Sequence, residues 1–352
     1  MLWYVPIEPY RGRYPADWYR WFPEGFKKHN IPYTIIDGQS FSGEVTAENF
    51  LNVYSSTHYS LTQLQEITRQ ISIGKVKDGD IFFIGDIGFP GGIVETIRRL
   101  LDLSHIKAKV YGFLHAGSYC TEDIFTPFEH YQKHFELGWL EACDGIFVGT
   151  YYHKNKIVQK RLSNYRQELS EKIYVTGVPW RVEEAQKIVG NYQKKQQVIF
   201  PSRLSQQRRP DVFIQLARLI HKEHPKISFV ITSPSEYKNN VYKLPDADTI
   251  SFVKVKNREE YLQKMAESKI MFSSSVEETF GYGVIEAETF NTIPLCPNRC
   301  SYPELVPKKY LYNSLDEAAK KIPELLDGST PNLLPFAKIY ETTIDRIIGW
   351  MI

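Results

Sequence analysis

The sequence has no phosphate loop of the GxxxxGK[ST] form and no GxGxxG turn after its first expected strand. Those absences remove the usual grip of kinases and dinucleotide oxidoreductases on their nucleotides. Cysteine is scarce, with only Cys120, Cys143, Cys296 and Cys300. The last two stand four positions apart with no second pair or histidine cluster nearby, so neither a zinc site nor a disulfide framework is expected. Reduced thiols in a cytoplasmic protein are the expectation. No run approaches the ~20 apolar residues that span a bilayer. The opening MLWYVPIEPYRGRYP lacks the basic start and long apolar core of a signal peptide. Net charge is only +2, so bulk electrostatics makes no case for a polyanionic partner. Asp78-Gly79-Asp80 and Asp246-Ala247-Asp248 do not follow a strand as a metal-holding aspartate pair would, and read as turns. No metal or other cofactor is expected.

What remains is an ordinary globular composition. The 352 residues suffice for two domains at about 100–200 residues each. Apolar runs expected as strands, at Leu2–Ile7, Tyr33–Asp37, Asp80–Asp86, Ala108–Leu114, Gly145–Gly149 and Lys172–Thr176, alternate with helical patterns at Asp17–His29, Ser60–Ile73 and a helix ending at Leu103. Residues 39–59 are polar and show no period. After a polar stretch at 189–197 the alternation resumes, with strands at Val198–Pro201, Ile227–Thr232 and Thr249–Val255 and helices at Asp211–Lys222 and Arg258–Glu267. Helices at Leu315–Leu326 and Phe336–Ile352 follow. Alternation of this kind predicts α/β domains with parallel, doubly wound sheets.

The stretch 270–305, IMFSSSVEETFGYGVIEAETFNTIPLCPNRCSYPEL, carries the most chemistry. A buried strand runs into serines, then Glu277-Glu278, then Thr279-Phe280-Gly281-Tyr282-Gly283, and helical spacing begins at Val284. Glycines at 281 and 283 allow a ligand to approach backbone N–H groups, and the helix start that follows favours an anion. Seven residues separate Glu278 from Glu286, placing one before the helix and the other about two turns along it.

These residues resemble the glutamate-x7-glutamate motif of retaining GT-B glycosyltransferases, family four in particular. Phe280-Gly281, Glu286-Ala287, Ile293-Pro294 and Pro303-Glu304-Leu305 match its flanks, while Asn291 stands where glycine is usual. The resemblance implies two Rossmann-like domains facing a cleft, at 1–192 and 193–334, with a final helix, 335–352, crossing back to the first. It implies that Glu278 holds the donor sugar, Glu286 the nucleotide ribose, and Phe280, Gly281 and Tyr282 line the donor. VIFPSRL followed by Arg208 looks like the family's strand–arginine–loop–lysine element, with Arg203 at the arginine, Arg208 at the lysine and Ser202 replacing a common glycine. Both would grip the donor diphosphate. His115, after the fourth expected strand, resembles the histidine that reaches the donor sugar. The resemblance is firm from about 145 to 305.

The acceptor is read from other residues. Tyr10, Arg11, Arg13, Tyr14, Trp18, Trp21 and Phe22 follow the first strand, and their planes suit stacking on a base or a sugar. Asp86 ends a strand and could take an acceptor hydroxyl, although aspartates there often cap helices. Lys154, Lys156, Lys160, Arg161, Arg166 and Lys172 form a local basic excess that could touch phosphates, with Lys156 and Lys160 as the chosen contacts; such runs are commonly solvated faces. The strings IEPYRGRY, DGDIFFIGD and FLHAGSY also resemble bacteriophage glycosyltransferases that decorate modified bases in DNA. The combined expectation is a metal-independent, retaining hexosyl- or pentosyltransferase using a nucleotide sugar. Its acceptor would be a hydroxymethylated pyrimidine in double-stranded DNA, in a host cytoplasm if the chain is phage-encoded. The same transfer onto a glycan or small molecule, or a non-catalytic sugar-nucleotide binder on the same fold, are the alternatives.

Overall fold

The structure, a computed structural model, describes residues 1–10, 12–41, 52–163, 166–233, 249–328, 331, 333 and 336–352. Its contacts separate two compact units. Unit 1 holds the described residues up to Pro179 and then Glu341–Ile352, and unit 2 holds those of Trp180–Tyr340.

Unit 1 begins β1 (Leu2–Val5), α1 (Tyr14–Lys28), β2 (Tyr33–Ile35), α2 (Val53–Ser72), β3 (Ile81–Ile84) and α3 (Ile93–Leu103). It continues β4 (Lys109–Phe113), α4 (Glu129–Ala142), β5 (Gly145–Val148), α5 (Tyr151–Ile157) and β6 (Ile173–Val175). The strands form one parallel sheet in the order β2-β1-β3-β4-β5-β6, with Trp3 opposite Thr34 on one side and Phe82 on the other.

Because side chains alternate along a strand, each strand supplies both faces of the sheet. Trp3, Val5, Phe82, Ile84, Val110, Ile146 and Val148 join one core cluster. Their neighbours Tyr4, Phe83, Phe113 and Phe147 form an aromatic layer on the other face, where Tyr4 stacks on Phe83 with centroids 5.6 Å apart and Phe22 of α1 meets Phe83 edge-on at 4.9 Å. Such ring pairs add about 0.5–1.5 kcal/mol each beyond area burial. Much of the 14% aromatic content is thereby spent inside the domain.

Unit 2 runs α6 (Val182–Val189), β7 (Lys195–Phe200), α7 (Pro210–Glu223), β8 (Ser228–Ser233), β9 (Ile250–Lys254), α8 (Arg258–Glu267), β10 (Ser268–Phe272) and α9 (Tyr282–Thr289). It closes with β11 (Ile293–Pro297), α10 (Tyr302–Leu305), β12 (Leu311–Tyr312) and α11 (Leu315–Asp327). The sheet is again parallel, in the order β12-β11-β10-β7-β8-β9. The last helix, α12 (Ile339–Met351), lies mostly in unit 1. There Trp350 stacks on Tyr174 at 4.0 Å, and Ile344 sits so close to Gly25 that a Cβ on that glycine would fall 2.8 Å from its Cγ2.

The units divide at Pro179/Trp180, whereas the sequence places the boundary at 192/193, because α6 packs on α8 and α9 and so belongs to unit 2. The second division falls at Tyr340/Glu341 rather than 334/335. Four helices, α4, α5, α6 and the short α10, have no clear counterpart in the sequence pattern. The inner face of α4 includes Gln132 and Glu136 beside Trp139 and Leu140, which masks its apolar period. For the same reason α2 starts at Val53 and not Ser60: Ser55 and Ser56 are buried, and Asn52 caps the start by accepting from the Ser55 N–H at 3.0 Å. Helix α1 starts at Tyr14 rather than Asp17, with Pro15 in its first turn, where a missing N–H costs nothing. Asn291 takes φ of 56°, the left-handed conformation that glycine usually supplies after such a helix.

Candidate functional site

In unit 2 the strand order reverses between β7 and β10, so the loops after these two strands diverge from adjacent carboxyl ends. Open α/β sheets bind ligands at such a crevice. The chain stitches the two loops together. Ser274 Oγ donates to the carbonyls of Arg208 and Arg209 at 2.9 and 2.8 Å, and the Val276 N–H donates to the Gln207 carbonyl at 2.9 Å. Arg299 Nε adds a bond to the Ser275 carbonyl at 3.1 Å. On this frame Arg208 Nη1 donates to Ser275 Oγ at 3.1 Å and to the Glu278 carboxylate. Burial works against the Arg208 charge, and Glu278 more than restores it, leaving its pKa above the ordinary arginine value. Arg203 lies half-buried on the same loop.

Gly281 precedes α9 with φ of +100°, a conformation that strains any side chain, so the turn into the helix depends on glycine. Phe280 is buried and meets the Tyr282 ring at 5.6 Å. Glu286 lies a turn further along, 4% exposed, with both oxygens engaged: Arg258 Nη2 donates to Oε1 and Tyr261 to Oε2, each at 2.6 Å. The Arg258 guanidinium rests over the rings of Trp180 and Tyr261, 5.2 Å from each centroid. No sequence motif marks Arg258, Tyr261, Trp180 or Arg299. Arg258 is 28 positions from Glu286, and no local spacing announces the pair.

In unit 1 His115 follows β4, with Nε2 3.0 Å from the Gly85 carbonyl and Nδ1 3.2 Å from the Tyr14 hydroxyl. A carbonyl only accepts, so Nε2 carries the proton and Nδ1 accepts from Tyr14. Burial pulls the pKa of His115 down to about 4, partly countered by the Gly85 bond, so the ring is neutral at pH 7.

Trp18 stands corrected as an acceptor platform: it is 1% exposed, packed on Phe22, Phe113 and His115, and presents no face for stacking. Trp21 and Phe22 are core residues for the same reason, an amphipathic α1 facing the sheet. Tyr14 is half-buried, its ring 5.5 Å from His115. Tyr10 and Arg13 are half-buried beside it in sequence, and Arg11 lies outside the described residues, as does Asp246-Ala247-Asp248.

The strand order of unit 1 reverses between β1 and β3. A small crevice at their carboxyl ends is lined by Asp86 and by Glu8, which no sequence motif marks. Glu8 is buried and accepts from Ser55 and Ser56 Oγ at 2.6 and 2.7 Å. Asp86 accepts from the Gly88 N–H at 2.8 Å, and burial pushes its pKa up to about 7.

The basic run is mostly consumed internally, so its reading as a phosphate-facing patch narrows. Arg161, its side chain 4% exposed, bonds Glu136 at 2.5 Å and Glu129 at 3.1 Å; a π-helical turn at Val158–Leu162 swings it inward. Arg166 pairs with Glu141 and Glu168, and Lys172 donates to two carbonyls. Lys156 lies 3.2 Å from the Tyr152 hydroxyl, and Lys160 is exposed. Among the described residues no three His, Cys, Asp or Glu side chains are arranged to hold a metal ion, and no helix is long and apolar enough to cross a membrane.

Residues 181–333, which contain Arg203, Arg208, Glu278 and Glu286, match the family model of glycosyl transferases group 1. The chain as a whole has the GT-B fold. Sucrose-phosphate synthase from Thermosynechococcus elongatus superposes with a TM-score of 0.65 at 11% identity, over 99% of this chain and 94% of that one. A trehalose-6-phosphate synthase studied for glycosyl transfer with retention gives 0.63 at 12%, over 99% and 97%. Among curated proteins, the tRNA-queuosine alpha-mannosyltransferase of Drosophila melanogaster is 28% identical over 131 residues, 36% of this chain. The match covers about a third of that relative's length, 34%.

Proposed function

We propose that the protein is a retaining glycosyltransferase that moves a sugar from a nucleotide-sugar donor to a hydroxyl on a modified base in nucleic acid, a hydroxymethylated pyrimidine in DNA in the first instance. The observation that carries the donor half is the Arg208–Glu278 pair at the strand-order reversal of unit 2, with Glu286 on the helix that follows, inside the group 1 match. Arg203 and Arg208 hold the diphosphate and offset the charge that grows on it as the glycosidic bond breaks. Glu278 orients the sugar and Glu286 receives the ribose. The acceptor oxygen forms its bond to the anomeric carbon on the face the diphosphate leaves. The acceptor proton passes to a diphosphate oxygen, so no protein base is consumed. His115, neutral at pH 7, acts through hydrogen bonding and not as a cation. No resident metal is invoked.

The fly relative is a mannosyltransferase for queuosine in tRNA, so a modified nucleoside is the acceptor of a similar sequence. A base in a duplex must leave the stack to be reached. A glycan or small-molecule acceptor is the second reading, favoured by the pairing of Arg161 and Arg166 with glutamates and the bonding of Lys172 to two carbonyls, which leaves less cationic surface there for phosphates.

The test is incubation with a panel of radiolabelled nucleotide sugars and three acceptors: duplex DNA bearing 5-hydroxymethyl pyrimidines, bulk tRNA, and a mixture of oligosaccharides. Label in DNA or tRNA nucleosides by mass spectrometry supports the proposal. Label only in saccharides moves the acceptor to the second reading. No transfer to any acceptor and no donor hydrolysis overturns the enzyme reading.

A further inference from the structure

A carboxylate that binds a ribose inside a protein has to be held in one place with its oxygens partnered, because a buried polar group left unpaired is costly. Glu286 meets this problem acutely, its side chain being 5% exposed. Two neighbours on α8 answer it. Arg258 supplies a positive charge and a bond to Oε1, and Tyr261 supplies a hydroxyl to Oε2. An ionised carboxylate offers about four lone-pair sites, so two remain for a ligand.

Arg258 is itself fixed. Asn257 caps α8 by accepting from the Glu260 N–H at 2.9 Å, which sets where Arg258 leaves the backbone. Its guanidinium is held against Trp180 and Tyr261. Trp180 is 2% exposed, and its Nε1–H donates to Thr289 Oγ1 at 2.9 Å, three residues beyond Glu286 on the same helix. The chain of contacts therefore closes on itself: α9 fixes Trp180, Trp180 fixes Arg258, and Arg258 fixes the carboxylate on α9. Removing one partner of a buried pair is strongly unfavourable, so a ribose adds to this arrangement and does not displace Arg258.

We propose that Arg258 is a positioning residue for donor selection: held by Trp180 and Tyr261, it presents the Glu286 carboxylate to the ribose diol and makes the site select ribonucleotides over their deoxy forms. The inference rests on the reading of Glu286 as the ribose contact. A site built to bond a hydroxyl rejects the analogue that lacks it, because its own polar group is then left unpaired. One such bond to a charged group corresponds to about 10- to 100-fold in affinity.

The experiment is calorimetric titration of the full chain with UDP, GDP and ADP, each beside its 2′-deoxy and 3′-deoxy counterpart. Wild type is expected to favour at least one ribonucleotide over a deoxy form by about 10-fold or more. Arg258→Ala is expected to weaken that ribonucleotide and bring the preference close to unity. Arg258→Lys, which keeps the charge but loses the planar fork, should recover part of it. Thermal melts check that each variant is folded, and the lysine variant carries the test if the alanine variant is not. A preference that survives undiminished in both folded variants overturns the positioning role, even if affinity falls. Failure of wild type to bind any of the nucleotides, or a preference untouched by Glu286→Gln, instead overturns the donor reading beneath it.

Discussion

Arg208 bonds Glu278 across 70 positions of sequence, joining the loop after one central strand of unit 2 to the loop after its neighbour. The cation expected on the diphosphate and the acid expected on the sugar are thus a single unit before any donor arrives. Arg208→Ala leaves Glu278 without its cation and, on the proposed donor reading, removes a charge from the diphosphate. Transfer should slow by about 10²-fold or more, the scale of losing one charge-stabilising donor. Steady-state rates with saturating donor measure it. A change of less than about threefold contradicts the assignment.

Glu278 and Glu286 should separate kinetically. Glu286→Ala removes contacts present in ground and transition states alike and should raise the donor KM with little change in kcat. Glu278→Ala disturbs sugar orientation and should lower kcat more than it raises KM. Equal effects in both variants would show that the two acids do not divide the donor between them.

Arg161 and Lys160 are adjacent in sequence and opposite in role. Arg161→Ala leaves Glu136, its side chain 1% exposed, as a buried acid without its cation, and should cost about 3–5 kcal/mol of stability by urea unfolding. Lys160→Glu changes an exposed side chain and should stay within about 0.5 kcal/mol. If duplex DNA is the acceptor, Lys160→Glu should also make binding less sensitive to salt, its log–log slope shrinking by about 0.9 for each phosphate that Lys160 neutralises.

Glu288 gives a pH signature. It is 8% exposed, neither carboxyl oxygen has a partner among the described residues, and burial pushes its pKa up to about 8. The unfolded chain gives up this proton near the ordinary glutamate value, while the folded chain keeps it until about 8. Stability therefore falls as pH rises between those values and levels off above them. The melting temperature of Glu288→Gln relative to wild type should climb from about pH 5 to 8 and then flatten. A constant offset across that range would contradict it.

The histidine at 153 works in the opposite direction. It is 1% exposed beside the Tyr119 hydroxyl, and burial pulls its pKa down to about 3. The unfolded chain takes up the proton first on acidification, so its contribution is lost as pH falls from about 6.5. His153→Gln should show a shallower fall in melting temperature from about pH 7 to 4.

The strands were legible because parallel sheets covered on both faces read as short apolar runs, and each expected strand is present within a few residues. The loop and helix of the candidate donor motif were legible because their parts are close in sequence: Glu278 and Gly281 precede the helix that carries Glu286. What escaped reading lies across the fold. Arg258 reaches Glu286 from α8, Trp180 backs Arg258, and Glu8 reaches its serines 47 and 48 positions away. Buried polar faces hid α4 and the first turns of α2. Trp18 misleads because an aromatic that serves a core and one that serves a ligand look alike until burial is known.

Helix α12 has a consequence for synthesis. Unit 1 takes its covering of Tyr174 and Gly25 from residues made after Trp180–Tyr340 of unit 2. A ribosome releasing this chain in order completes the second domain first. The first domain waits with Tyr174 and the Gly25 face of α1 uncovered, and chaperone demand during translation should fall on that domain and not on its neighbour.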